Sequence, residues 1–311
     1  MVKKGLEYST NGAELRKIQK ELVDTILTKP EDLENIIKIQ LASRQGFHQY
    51  SLRNIYLASW QLYQRTGETA ELLAPYSKWG KIELEDGTKI RRNVKKGEKA
   101  LRILAPYTVT ITEENEDGEE VKKTVLRFKS VPVFDLSQTE GDPFEVDFTN
   151  AAIDYKLDEI TSRNNVKVNL SNKEITRGYT DGNEIWISKH ISTPKQICVY
   201  FHELAHYLLH FDENRHELTS ATKELEAEAV SYLVSCYLGI KDDEALAYIR
   251  GWTRKYSDEK RTKLLKGKGS NVLKTATKII EDLKLSELLD SKKTIPNSSK
   301  WEEINWVGVK E

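Results

Sequence analysis

Residues Cys198 to Phe211 read CVYFHELAHYLLHF, three histidines and a glutamate set among apolar side chains. Burying that many ionisable groups is costly unless something compensates them. His202 and His206 are four residues apart, so on a helix their rings share one face one turn apart, with Glu203 projecting beside them. Two neutral imidazoles at that spacing can reach one Zn²⁺ at about 2.0–2.1 Å each, leaving the glutamate to take a proton from a water that the metal activates. A catalytic centre needs a third protein donor. The stretch KELEAEAVSYLV offers Glu224 and Glu228, again four apart on one helix face. One carboxylate of such a pair can ligate the ion, and the other can accept the free N–H of a ligating histidine. We assign Glu224 to the first role and Glu228 to the second. Glu226, between them, is expected to point elsewhere on its helix. His210 continues the four-residue series, yet it lies about 12 Å along the axis from His202, too far to share the ion. It is expected to hydrogen-bond or cap nearby. The same donors also suit Mn²⁺ or Co²⁺. H-E-x-x-H alone is only suggestive, and the alternative is two core histidines satisfied by hydrogen bonds.

These residues must be held by helices. Thr193-Pro194 is a good start for one near 194–211, with a hydroxyl for the cap and proline in the first turn. Further helices are expected near 219–238, 242–256 and 271–289, after one near 150–164 and the short alternating segment NEIWIS (183–188). Residues 13–66 carry apolar positions at helical spacing in three runs, interrupted at Pro30 and Gly46. From 76 to 134 the period shifts toward two, with turn signals at 85–87 and 115–120, as in an antiparallel sheet. DLSQTEGDPF (135–144) has the composition of a linker or a functional loop.

The chain has 311 residues, more than one small core needs, and 38% hydrophobic with 31% charged residues is the balance of a soluble globular protein. No apolar run approaches a membrane span, and the start MVKKGLEYSTNGAELRK lacks a hydrophobic stretch behind its lysines. Cys198 and Cys236 sit in apolar surroundings and form no C-x-x-C pair. A cytoplasmic protein with reduced thiols is therefore expected.

Net charge is −1, which excludes a uniformly basic coat but not a local patch. Between residues 78 and 102 nine basic side chains meet four acidic ones. Arg91, Arg92, Lys95, Lys96 and Lys99 belong to this stretch, and Gly97 after Lys95-Lys96 would let the backbone approach a phosphate. Tyr50, Tyr76 and Trp79 are candidates to stack unpaired bases. In YSLRN, Ser51 is a candidate N-cap, and Arg53 and Asn54 in the first turn would make a phosphate seat with it. The alternatives are a solvated charged sheet face, aromatics in the core, and Arg53 paired internally.

HELAHYLLH followed by ELEAEAVSYLV resembles peptidases of the ImmA/IrrE type and the gluzincins, in which the glutamate of E-x-x-A is the third metal ligand. YSLRNIYLASWQ, NVKKGEKALRILAP and VFDLSQTEG are similar to the amino-terminal domain of ArdC antirestriction proteins. That resemblance implies a single-stranded-DNA-binding domain (1–145) and a zincin-like metallopeptidase domain (146–290); the tail (291–311) lies outside it and has the composition of a loosely ordered end. The expected fold is α+β: helices on an antiparallel sheet, then a mainly helical domain in which NEIWIS is a short edge strand that binds peptide by strand addition. The expected function is a DNA-binding antirestriction protein of a mobile element with a zinc-dependent peptidase. The alternative is a non-catalytic DNA-protecting protein whose metal is structural or vestigial. Partners would be single-stranded DNA, double-stranded DNA as a second option, and a protein substrate.

Overall fold

The computed structural model describes residues 11–43, 47–83, 87–114, 120–143, 154–172, 177–211, 218–240 and 242–293. Gly46, the turns at 84–86 and 115–119, the start of the helix expected at 150 and the tail from 294 lie outside them.

Helices α1 (Gly12–Val23), α2 (Pro30–Ala42) and α3 (Leu52–Thr66) open the chain. Their ends follow local chemistry. The Asn11 side chain accepts from the Ala13 N–H, Ser51 caps α3, and Gly67 at φ 79° ends it in the left-handed conformation that costs glycine nothing. Next come β1 (Leu73–Ala74), the short α4 (Tyr76–Trp79), β2 (Ile82–Glu83), β3 (Lys89–Ile90), β4 (Arg92–Val94), β5 (Leu101–Glu114), β6 (Glu120–Asp135) and β7 (Thr139–Gly141). β5 and β6 form a long antiparallel hairpin from Leu101↔Val133 to Glu114↔Glu120, and β1 pairs with the base of β6. β2 pairs with β3, and β4 with β7.

The open edge of β5 is covered by side chains of α3. The Asn54 amide accepts from the Leu104 N–H and donates to the Leu104 carbonyl, and Gln61 does the same at Arg102. Arg65 continues the row onto the carbonyls of Lys99 and Ala100. Two amides two helical turns apart thus satisfy a strand edge that would otherwise invite pairing.

DLSQTEGDPF is not a linker. Asp135 is fully buried and accepts four hydrogen bonds, from the backbone N–H groups of Glu71, Leu72 and Ser137 and from the Ser137 hydroxyl. Gln138 completes a capping box with Asp135 and donates to Glu98 and to the Lys99 carbonyl. Of the polar residues that suggested a loop, Asp135, Gln138 and Thr139 are buried, and Gln138 anchors the 95–99 turn.

The second half contains α5 (Leu157–Thr161), β8 (Lys167–Ser171), β9 (Gly178–Thr180), β10 (Glu184–Ser188), α6 (Thr193–Leu209), α7 (Ser220–Tyr237), α8 (Asp243–Arg254), α9 (Asp258–Leu265), α10 (Lys268–Asp282) and α11 (Leu285–Lys293). NEIWIS is the central strand here, not the edge: β10 runs parallel to β8 and antiparallel to β9. Its Ile185 and Ile187 are fully buried, whereas KVNLS and GYT carry too little pattern to announce the flanking strands. The helix expected over 271–289 is two, α10 and α11, separated at Leu283-Lys284, where Lys284 has φ 47°.

α7 contacts α2, α6, α8 and α10, which is why its sequence is apolar on nearly every side. One buried cluster runs from Leu15 on α1 through Tyr200 and Leu233 to Leu289 on α11. The start of α10 holds this junction together with three consecutive residues. Gly269 lies against the backbone of Val23, the Ser270 carbonyl and hydroxyl accept from Arg53, and the Asn271 amide donates to Glu226. Among the described residues no helix is long and apolar enough to cross a membrane.

Candidate metal centre

α6 and α7 pack face to face and bring together the donors that the spacing singled out. His202 Nε2 and His206 Nε2 are 3.0 Å apart, and each lies 3.4 Å from a different oxygen of Glu224. Donors at 2.0–2.1 Å around a tetrahedral ion are separated by about 3.3 Å, so the three side chains stand where ligands of one divalent cation would. Two imidazole nitrogens and a carboxylate oxygen are a donor set that such ions accept, so the residues present fit a metal. On the far side of His202, Nδ1 is 3.6 Å from Glu228 Oε1, the position expected of the orienting carboxylate. The centre lies in a cleft of about 600 Å³ that Gly178, Tyr179, Thr180 and Lys195 also line.

Electrostatics follow from this crowding. Burial opposes charge on His202, but hydrogen bonds to Glu224 and Glu228 and the charges of nearby glutamates outweigh it, pushing the imidazole up to about 10. The same hydrogen bonds from His202 and His206 hold the Glu224 carboxyl well below the usual carboxylate range. Glu203 is only 7% exposed, and burial raises its carboxyl against the opposing pull of the two histidines. β9 passes close beside it at a glycine. A Cβ on Gly178 would stand 2.5 Å from Val199 Cγ1, 3.0 Å from the Trp186 carbonyl and 3.2 Å from Glu203 Oε1.

Two residues proved more involved than their sequence positions indicated. Glu226 points away from the metal donors, as expected, and is 1% exposed, with Oε2 3.2 Å from His210 Nε2. His210 ends α6, is 3% exposed, and sets its Nδ1 2.9 Å from Nδ1 of His206. A signal was present: Glu226 heads the row Ala229, Val230, Leu233, all fully buried, so its carboxylate had to find an interior partner.

Residues 163–258 match the family model described as IrrE N-terminal-like domain, a peptidase family, and this match spans β8 to α8. No curated protein matches the chain. Two solved structures of the antirestriction protein ArdC from plasmid R388 resemble it over 86% of its length. The metal-free one is 20% identical with a TM-score of 0.49 and is covered over 98% of its own chain. The Mn(II)-bound one is 18% identical with a TM-score of 0.50 and is covered over 97%. The fold is ArdC-like.

In the amino-terminal half of this ArdC-like fold the candidate nucleic-acid residues divide. Trp79, expected to stack on a base, is instead fully buried against Phe47 and offers no face for one. Arg53 is half-buried and donates to Ser270, and Asn54 is occupied by β5, so the two brace the fold instead of framing an open phosphate seat. Ser51 is exposed and caps α3. Arg92 donates to Thr139 and to the Asp142 carbonyl. Arg91, Lys95, Lys96 and Lys99 are exposed around the turn at Gly97, whose φ is 93°, and the Lys95 ammonium donates to the Ser137 carbonyl. Tyr76 is 65% exposed and remains able to stack. Tyr50 is half-buried beside His48, and burial pushes its hydroxyl up to about 12.

Proposed function

We propose that the chain is a divalent-metal-dependent peptide-bond hydrolase joined to a nucleic-acid-binding half, acting in antirestriction. The observation carrying this reading is the convergence of His202, His206 and Glu224 from two helices, with buried Glu203 lining the same cleft. The likeness to a protein whose Mn(II)-bound form has been solved supports a divalent ion, and its description as antirestriction supports the biological role. Zn²⁺ suits two imidazoles and a carboxylate, and Mn²⁺ and Co²⁺ suit them too.

A bound ion would supply Lewis acidity, polarising a scissile carbonyl and acidifying a water. The side chains do the rest. Glu203 takes the water's proton on a carboxylate oxygen and delivers it to the leaving amine; a carboxyl raised by burial is suited to both transfers. Glu228 holds His202 through Nδ1. The edge strand β9 borders the cleft, so an extended peptide would add antiparallel to β9, the place first ascribed to NEIWIS. Nucleic acid would be held by Arg91, Lys95, Lys96 and Lys99, with Tyr76 for stacking, and single strands are favoured because stacking needs unpaired bases.

Elemental analysis of the wild type and of His202→Ala tests the centre, and equal metal in both would remove it. Glu203→Gln should keep its metal and lose hydrolysis of a peptide library; undiminished cleavage would eliminate the mechanism. One observation favours the non-catalytic reading: the basic turn is anchored by Asp135 and Gln138, with no residue of the cleft involved. On that reading Glu203→Gln protects DNA from restriction as well as wild type does. Lys95→Glu with Lys96→Glu should weaken oligonucleotide binding and lower its salt dependence by about one to two counterions. No change in either would exclude this turn.

A further inference from the structure

Beyond the proposed ligands, a chain of hydrogen-bonding side chains leads away from His206 through two buried members, His210 and Glu226, to the exposed Asn271. Its Nδ1 faces His210 Nδ1 at 2.9 Å, His210 Nε2 faces Glu226 Oε2 at 3.2 Å, and Glu226 Oε1 accepts from the Asn271 amide at 3.3 Å. His210 and Glu226 are 3% and 1% exposed, so each depends mainly on the other for its hydrogen bond.

We propose that Glu226, acting through His210, is a positioning residue that fixes the tautomer and orientation of His206. The inference rests on the metal-centre reading above. The Glu226 carboxylate only accepts, so His210 carries its proton on Nε2. Neutral His210 then has a lone pair on Nδ1, which obliges His206 to donate from its own Nδ1. Neutral His206 is left with its lone pair on Nε2, the atom that faces His202 and Glu224. The usual arrangement sets a carboxylate or carbonyl directly behind a ligating histidine, as Glu228 stands behind His202. Here a second imidazole intervenes. The carboxylate sits one residue deeper, held by α10, the helix that also receives Arg53 from the amino-terminal half.

The geometry also accounts for the composition. A histidine and a glutamate each buried almost completely would be expensive in an apolar interior, and mutual hydrogen bonding together with Asn271 lowers that cost. A purely structural pair would do the same, so the test must read the metal rather than stability.

The experiment measures the dissociation constant of Zn²⁺ by competition with a chromophoric chelator, and the visible absorption of the Co²⁺-substituted protein, for the full chain. His210→Phe leaves the His206 Nδ1–H without an acceptor and should weaken Zn²⁺ binding about 10- to 100-fold and alter the Co²⁺ bands. Glu226→Gln should act in the same direction. The double variant should bind no more weakly than His210→Phe alone, because Glu226 acts only through His210. Glu228→Gln combined with His210→Phe should instead multiply the losses, since it acts through His202. Thermal unfolding of the metal-free proteins verifies folding. If His210→Phe does not fold, Glu226→Gln and His210→Gln carry the test with the same two readouts. Binding within twofold of wild type with an unchanged Co²⁺ spectrum would overturn the proposal, as would multiplicative losses in the Glu226/His210 double variant. Failure of the wild type to bind Zn²⁺, or undiminished binding in His202→Ala, would instead remove the metal-centre reading itself.

Discussion

Gly269→Ala is a sharp test of how the two halves are joined, because structure and helix propensity predict opposite signs. Gly269 lies in the first turn of α10 and is buried. In an exposed helix interior, glycine to alanine normally stabilises by about 0.5–1 kcal/mol, since alanine loses less conformational freedom on folding. Here the added Cβ would stand 1.8 Å from the Val23 carbonyl oxygen and 2.9 Å from Ile26 Cγ2. Real Cβ contacts stay beyond 3.0 Å, so α10 and the end of α1 must separate by at least about 1.2 Å. The obstacle is backbone, which cannot swing aside as a side chain tip can. Overpacking of this kind costs about 1–3 kcal/mol or more, enough to outweigh the helical gain and leave a net loss of about 2 kcal/mol. The separation also pulls at Ser270 and Asn271, the partners of Arg53 and Glu226. Gly251 on α8 is the control: it is helical and exposed, and a Cβ there meets nothing within 4 Å. Urea unfolding of both variants, followed by far-ultraviolet circular dichroism, should give a lower midpoint for Gly269→Ala and a higher one for Gly251→Ala. A Gly269→Ala protein as stable as wild type, or more so, would refute the packing of α10 on α1 and the continuity of core that depends on it.

Asp135→Asn should destabilise by about 2–4 kcal/mol, because an amide cannot accept four hydrogen bonds and its NH₂ would face a donor; wild-type stability in urea would show that the carboxylate does not organise the base of the sheet. Arg53→Ala should lower stability by about 1–3 kcal/mol and leave oligonucleotide affinity unchanged, as befits a guanidinium bound to Ser270. The reverse result in gel shifts would return Arg53 to the phosphate seat. Burial pushes both thiols, Cys198 and Cys236, up to about 12, so the thiolate fraction at pH 8 is about one in ten thousand. Iodoacetamide should therefore label neither in the folded protein and both in urea, and rapid labelling of the native chain would contradict their burial.

Much of the candidate centre was legible in the sequence because its geometry is local. Four residues on a helix make one turn wherever the helix is placed, so His202 with His206 and Glu224 with Glu228 were defined as pairs before any packing was known. The three opening helices and the long β5–β6 hairpin were legible for the same reason, since each announces its own period.

What depended on tertiary structure was which side chains meet across elements. Glu226 stands between buried Leu225 and Ala227, and only the crossing of α7 with α6 and α10 gave its carboxylate the partners His210 and Asn271. Asn54 and Gln61 look like ordinary helical polar residues until the edge of β5 comes to lie beside them. Trp79 near a basic segment could equally have been a stacking platform or core, and burial against Phe47 decided it. NEIWIS was recognisable as a strand, but its central place came from partners, KVNLS and GYT, that carry too little apolar pattern of their own. Periodicity records which way a side chain leaves its own backbone. The partner awaiting it belongs to another stretch of chain, brought there by burial of apolar surface that has no sequence address.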